Sequence, residues 1–384
     1  MIYLDNAATS FPKPPRVYER MNEFLRNEAA NPGRSGHRLS VNAEAQIAQA
    51  RNVLAKLFHV RDSKRIVFTL NCTDSLNIGI KGVLGDGNHA ITTVLEHNSV
   101  LRPLNALESS GKITLTKIQV SSEEGFVRPS DFEKAFRKNT KLVVMTHASN
   151  VTGVVQPIGE IGKIVRGHGA LFLVDAAQTA GVLDIDVERD NIDLLAFPGH
   201  KALYGPPGTG GLYVGTRAEL IPWREGGTGF DSQSPLQPRE FPFALEGGTP
   251  NSVGIVGLRE GVEFIVQEGR EKIEQHERSL IQKLRAGLEN LSGVTLYGTD
   301  DETKWTAPVS FVLDGIEPQE VSLILDESFD IASRAGLHCA PLAHESIGTY
   351  PQGTIRLSPS YFNTESDIEK ALKAICEIQS QVRS

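Results

Sequence analysis

Short apolar runs recur along the first half of the chain, at 65–70, 89–94, 141–146, 170–174 and 193–197. Between them lie stretches in which apolar residues return at helical spacing, such as 43–58 and 130–137. Strand-length runs alternating with helical ones predict βαβ units, and so a mostly parallel sheet flanked by helices. The helix near 130 is expected to start on Ser130-Asp131-Phe132-Glu133, a capping-box pattern. Farther on, 252–268 and 273–291 read as helices and 307–313 as a strand of a second unit. The carboxyl-terminal helix begins near Thr364-Glu365-Ser366-Asp367, another box-like cap. Between about 223 and 250 the periodicity lapses in a stretch rich in Gly, Pro and Ser, which reads as a linker or a functional loop. No internal repeat or low-complexity tract is present.

With 384 residues the chain is too long for one small core. The expectation is two domains, or one large α/β domain with a smaller partner. A net charge of −8 argues against nucleic acid or an anionic membrane as the main partner. No run approaches the roughly 18 apolar residues that span a bilayer, and no basic segment followed by an apolar core opens the chain, so a cytoplasmic enzyme is expected. The three cysteines, Cys72, Cys339 and Cys376, show no CxxC spacing. They suit a reducing compartment and build neither a disulfide framework nor a metal site.

The candidate chemistry begins at Pro198-Gly199-His200-Lys201, where the apolar run 192–197 opens into a turn. A lysine at the mouth of a sheet, partly desolvated and beside another nitrogen base, can lose enough basicity to bond covalently to an aldehyde cofactor. Taken alone, Lys201 would more often be a solvated surface charge. Upstream, 170–174 runs straight into Asp175, again at a strand's carboxyl end. Ligands of open parallel sheets bind beyond those ends, so Asp175 and Lys201 are expected to face one cavity. The pair suits pyridoxal 5'-phosphate (PLP): an amine to attach it, and a carboxylate to keep its ring nitrogen protonated so that the ring can store electrons. The glycine-rich stretch 205–211 superficially resembles a nucleotide-binding loop. However, Gly211-Leu212 stands where the Lys-Ser/Thr pair belongs, and a strand-like segment follows in place of a helix. It reads as a turn, and an ATPase is disfavoured.

Taken together, Val174-Asp-Ala-Ala-Gln178, Gly199-His-Lys201 and Arg334-Ala-Gly-Leu-His-Cys339 resemble the class V aminotransferase superfamily and, within it, the short-loop cysteine desulfurases and selenocysteine lyases. The likeness runs from Ile2-Tyr3-Leu4-Asp5-Asn6 to Tyr361-Phe362-Asn363-Thr364. It implies the fold-type I PLP architecture: a large PLP-binding domain at 12–250, with 1–11 and 251–384 forming a smaller α+β domain that carries the cysteine loop. By resemblance His97 stacks on the cofactor and exchanges protons with the substrate, Asn150 and Gln178 lie near its phenolic oxygen, and Thr73 and His200 hold its phosphate. Thr249 reaches in from a second subunit, which implies a homodimer. Arg356 and Arg334 clamp the substrate carboxylate, with Asn150 nearby.

Cys339 decides the reaction. It matches the nucleophile of the short-loop enzymes, and His338 and Arg334 beside it suggest an electropositive setting that favours thiolate. The implied reaction converts L-cysteine to alanine and leaves a persulfide on Cys339 for a sulfur-acceptor protein. Two departures stand out. Pro198 occupies a position where many relatives carry a hydroxyl, and Cys72 one where some carry threonine or alanine, so Cys72 either packs beside the phosphate turn or contacts the cofactor. The alternatives are another enzyme of the superfamily (an aminotransferase, an epimerase, or a lyase acting on L-selenocysteine) and a sulfur-relay scaffold that binds its partner through 226–243.

Overall fold

The computed structural model describes residues 1–33, 36–120 and 125–382. The chain begins with a short strand, β1 (Ile2–Tyr3). It then builds a seven-stranded sheet from β2 (Ile66–Thr69), β3 (Asn88–Thr93), β4 (Ile113–Ile118), β5 (Thr140–Thr146), β6 (Leu171–Asp175), β7 (Leu194–Pro198) and β8 (Gly210–Val214). Their order across the sheet is β2-β8-β7-β6-β5-β3-β4. β8 runs antiparallel to both of its neighbours, and the other strands all point one way. Their carboxyl ends therefore open along a single edge, where ligand sites of such sheets form.

Both faces of this sheet are covered. Val143, Phe172, Val174, Leu195 and Phe197 pack to one side, and Leu142, Val144, Leu173, Leu194 and Ala196 to the other. Two buried faces explain why these strands read as continuous apolar runs. β4 is an edge strand of alternating character, Ile-Thr-Leu-Thr-Lys-Ile, and gives no such run. The helix Ser252–Glu268 packs on the helices Pro15–Asn27 and Arg38–Leu57 and sends Leu258, Val262 and Ile265 into the core on the first face.

A second, four-stranded antiparallel sheet joins β9 (Val294–Leu296), β10 (Val309–Leu313), β12 (Arg334–Gly336) and β13 (Thr354–Leu357) in the order β12-β13-β10-β9. The helices Arg270–Glu289, Pro318–Phe329 and Glu365–Val382 cover it, burying Leu284, Leu325 and Ile375 against Phe311 and Ile355. β11 (Ile331–Ala332) pairs parallel with β1, which ties the start of the chain to this second sheet.

Two helix starts differ in an instructive way. At the carboxyl-terminal helix, Thr364 Oγ1 accepts the Asp367 N–H at 3.2 Å and Asp367 Oδ2 accepts the Thr364 N–H at 2.9 Å, the reciprocal box expected there. The other expected box does not form. That helix spans Pro129–Ala135, so Ser130 lies inside it, and Pro129, whose fixed φ suits a first helical position, starts the helix. The glycine-rich stretch 205–211 leads into β8. A Cβ on Gly211 would lie 2.4 Å from the Phe197 ring and one on Gly210 2.8 Å from the Asn71 backbone, so these glycines serve close packing between strands and not phosphate binding.

Candidate active site

β6 and β7 set the centre of the site. Asp175, the last residue of β6, is 3 % exposed. Its Oδ1 accepts the Ala177 N–H at 2.9 Å and the Cys72 thiol at 3.5 Å. No cation bonds it among the described residues, and burial raises its carboxyl above the usual range, an effect that the Lys201 charge opposes. Lys201 follows β7 by three residues. Burial pushes its ammonium down to about 8, with the Arg356 cation adding to the shift and Asp175 opposing it. Lys201 shares with Gln178 a small cavity of about 30 Å³ at the sheet's edge.

The turn carrying Lys201 is held from the amino terminus. Ser10 Oγ donates to the Lys201 carbonyl at 2.8 Å, and Lys13 Nζ donates to the His200 carbonyl at 2.7 Å and to Ser10 Oγ at 2.8 Å. Lys13 is itself buried, and desolvation lowers it to about 8. The Thr9 hydroxyl lies 3.1 Å from His200 Nδ1. Burial, helped by the Lys201 and Lys13 charges, lowers His200 to about 4 and keeps it neutral.

The helix Cys72–Val83 starts beside Asp175. Asn71 caps it by accepting the Asp74 N–H at 2.9 Å. Thr73, in its first turn, has its hydroxyl 2.8 Å from that of Ser99. Burial, the Asp175 charge and the hydrogen bond to that carboxylate hold the Cys72 thiol well above its usual range, so Cys72 stays protonated and serves as a donor to Asp175. His97 caps the helix Asn98–Ser109, its Nδ1 accepting the Ser99 N–H at 3.0 Å. Burial and then the Lys201, Arg334, Arg102 and Arg356 cations lower it to about 4. The ring is therefore neutral, with Nδ1 engaged at the cap.

On the other wall, Arg334 and Arg356 are cross-strand partners in β12 and β13. Like charges placed opposite each other repel unless an anion lies between them. Arg356 is 1 % exposed. It donates from Nη2 to Asp5 Oδ1 and from Nη1 to the Asn150 carbonyl, both at 2.9 Å. Its Nε–H is buried without a partner among the described residues. Spare donors on a desolvated guanidinium suit a carboxylate ligand.

Cys339 is exposed, on a turn between these groups. The Asn98 N–H donates to the Cys339 carbonyl and Asn150 Nδ2 to the His338 carbonyl, each at 2.7 Å. The turn's ends are closed by Gly336 and Gly353, both at positive φ, and a Cβ on Gly353 would lie 2.2 Å from the Gly336 backbone. His338 does not add positive charge. It is 4 % exposed, and burial, then Arg356 and His344, lower it to about 2.

Gln178 donates through Nε2 to the Ala7 carbonyl at 3.2 Å. Thr249 lies elsewhere, exposed on the rim of a 690 Å³ cavity that is also lined by Leu70, Trp223 and Phe230. Sequence reasoning missed Asp5, Ser10, Lys13 and Asn98. Each acts on residues far along the chain, so no local spacing marks it.

A half-buried lysine at a sheet's carboxyl edge, facing a buried aspartate, defines the site of a fold-type I PLP enzyme. The chain belongs to the aminotransferase class-V family, whose model matches residues 2–371. It is 35 % identical to a probable cysteine desulfurase of Methanothermobacter thermautotrophicus, covering 98 % of this chain and 94 % of that one. It is 36 % identical to another from Pyrococcus abyssi, covering 100 % and 96 %. The solved apo cysteine desulfurase of Thermococcus onnurineus superposes with a TM-score of 0.93 at 35 % identity, over 99 % of this chain and 95 % of that one. That of Escherichia coli gives 0.89 at 28 %, over 99 % and 94 %.

The family is PLP-dependent, and the residues here fit the cofactor. Asp175 is a buried carboxylate with no bonded cation among the described residues, a partner that a ring N–H would supply. The first-turn amides of the helix Cys72–Val83, together with Thr73 and His200, suit a phosphate. No helix among the described residues is long and apolar enough to cross a membrane.

Proposed function

We propose that this protein is a PLP-dependent cysteine desulfurase that moves sulfur from L-cysteine to Cys339 for delivery to an acceptor protein. The observation carrying the reading is that the exposed Cys339 is fastened to the cluster that surrounds Lys201. Its carbonyl is held by Asn98, next to His97, and the preceding one by Asn150, whose own carbonyl holds Arg356.

The roles follow from this cluster. Arg356 and Arg334 bind the substrate carboxylate. Asp175, Gln178, Asn150, His97, Thr73, His200 and Lys201 hold PLP. When bound, PLP withdraws electrons from the substrate α-carbon, with Asp175 balancing positive charge at the ring nitrogen. Lys201 Nζ, lowered to about 8, is matched to taking the α-proton and returning it near neutral pH. Cys339 Sγ then attacks the substrate sulfur. An S–S bond forms and the C–S bond breaks, its electron pair passing to the substrate β-carbon. That carbon takes a proton, so alanine leaves and Cys339 keeps a persulfide.

Thr249 of a second copy completes the phosphate site, so the enzyme works as a homodimer. The exposed Trp223 and Phe230 lining the 690 Å³ cavity support that assembly. The reading includes a cytoplasmic enzyme whose sulfur serves uses such as iron–sulfur cluster assembly.

Mass spectrometry of the Cys339 peptide after one turnover without reductant tests this. The reading predicts one added sulfur. An unmodified peptide alongside released alanine would move the chemistry off Cys339, and turnover of L-selenocysteine but not L-cysteine would make the protein a selenocysteine lyase.

A further inference from the structure

Behind the Cys339 turn lie three side chains that the proposed reaction does not use. Thr349 Oγ1 is 2.7 Å from His344 Nδ1, His344 Nε2 is 3.3 Å from His338 Nδ1, and His338 Nε2 is 3.4 Å from the Arg334 carbonyl oxygen. Thr349, His344 and His338 are 7, 0 and 4 % exposed. A carbonyl can only accept, and this fixes every proton in the series. His338 donates from Nε2, so its Nδ1 accepts from His344 Nε2–H. His344 Nδ1 in turn accepts from the Thr349 hydroxyl. Burial keeps both rings neutral, as this order requires.

The backbone at the end of the series is unusual. His338 and Cys339 are consecutive non-glycine residues at φ +49° and +59°, a left-handed region that side chains other than glycine's rarely adopt. Such a turn persists only when its surroundings over-determine it. Asn150 and Asn98 hold its carbonyls. The His338 ring is its third hold, and that ring is fixed at both nitrogens by the series above.

We infer that His344 and Thr349 are positioning residues that hold the left-handed His338–Cys339 turn through the His338 ring and so aim the Cys339 thiol. This rests on Cys339 being the sulfur-accepting nucleophile. Thr349→Val keeps the volume but removes the hydroxyl proton. His344 Nδ1 is then buried without a donor, so the ring that donates to His338 Nδ1 loses its own anchor. Thr349→Ser keeps the donor.

Two readouts on the PLP-loaded protein test this. One is amide hydrogen exchange of the peptide spanning 337–345, where the Ala340 N–H bonds the Leu337 carbonyl and exchange reports local opening. The other is kcat and KM for alanine release. In Thr349→Val, exchange is expected to speed up and kcat to fall about tenfold, the effect of one lost buried hydrogen bond, with KM unchanged and Thr349→Ser close to native. A native kcat in Thr349→Val overturns the inference, whatever exchange does, and so does native exchange. If the native protein released no alanine, the desulfurase reading would fall. The exchange comparison would still decide whether the series holds the turn.

Discussion

Asp175 shows what one residue can be made to do by where the chain puts it. A carboxylate at 3 % exposure, bonded by one amide and one thiol, costs free energy unless a positive charge arrives to balance it. A ring N–H of the cofactor meets that need. In Asp175→Asn the neutral amide can still accept the Ala177 N–H, so the fold is expected to persist while the charge is lost. Alanine release should drop roughly 10²–10³-fold, the scale of removing one preorganised electrostatic contact, measured as kcat at saturating L-cysteine. An Asp175→Asn variant with near-native kcat would contradict the role. Arg356 makes a parallel case for substrate. Arg356→Gln should raise KM for L-cysteine about 10- to 100-fold through the loss of charge-assisted bonds. It should also loosen Asp5, its partner 351 residues away.

Elements explain which parts of this site could be read in the chain. Asp175 ends a strand, and Lys201, His97, Asn150 and Cys72 follow the carboxyl ends of others; those strands announced themselves as apolar runs because both faces of the sheet are covered. β4 alternates at an edge and stayed hidden, and a proline displaced the start of the helix Pro129–Ala135. The Asp5–Arg356 pair, the grip of Ser10 and Lys13 on the Lys201 turn, and the Arg334–Arg356 pairing depend on how separate elements meet, which local spacing does not encode. The helix Cys72–Val83 provides an element-scale test. Asn71→Ala removes its cap and should cost about 1 kcal/mol of stability. It should also weaken PLP affinity, because the first-turn amides lose their orientation. Thermal melts with and without added PLP check this, and an unchanged PLP affinity would separate that helix from the phosphate.

At the scale of the whole molecule, buried titratable groups set a pH profile. Desolvation lowers His89, His97, His147, His200 and His344 to about 4 and His338 to about 2. Between about pH 4 and 6.5 the unfolded chain therefore binds more protons at these histidines, and their contribution to stability falls as the solution is acidified through that window. Glu96 and Glu277, raised to about 8 by burial, act in the opposite sense. Folded, they keep protons that the unfolded chain has released above about pH 4.5, so their contribution falls as pH rises toward 8. Six histidines outweigh two glutamates below 6.5; above it the two glutamates outweigh Lys13, which is lowered to about 8 and acts in the opposite sense as pH nears that value. Stability of the PLP-loaded protein should therefore peak near pH 6.5, which denaturant melts across pH 4.5–8 would show. A steady rise to pH 8 would mean that Glu96 and Glu277 are ionised in the folded state.

Whether Cys339 takes the sulfur is decided by incubating the PLP-loaded protein with L-cysteine and a reductant and quantifying alanine and sulfide for the native chain beside Cys339→Ala. The account predicts equal amounts of the two products from the native chain and loss of both in the variant. Alanine and sulfide from both proteins, or from neither, would contradict it.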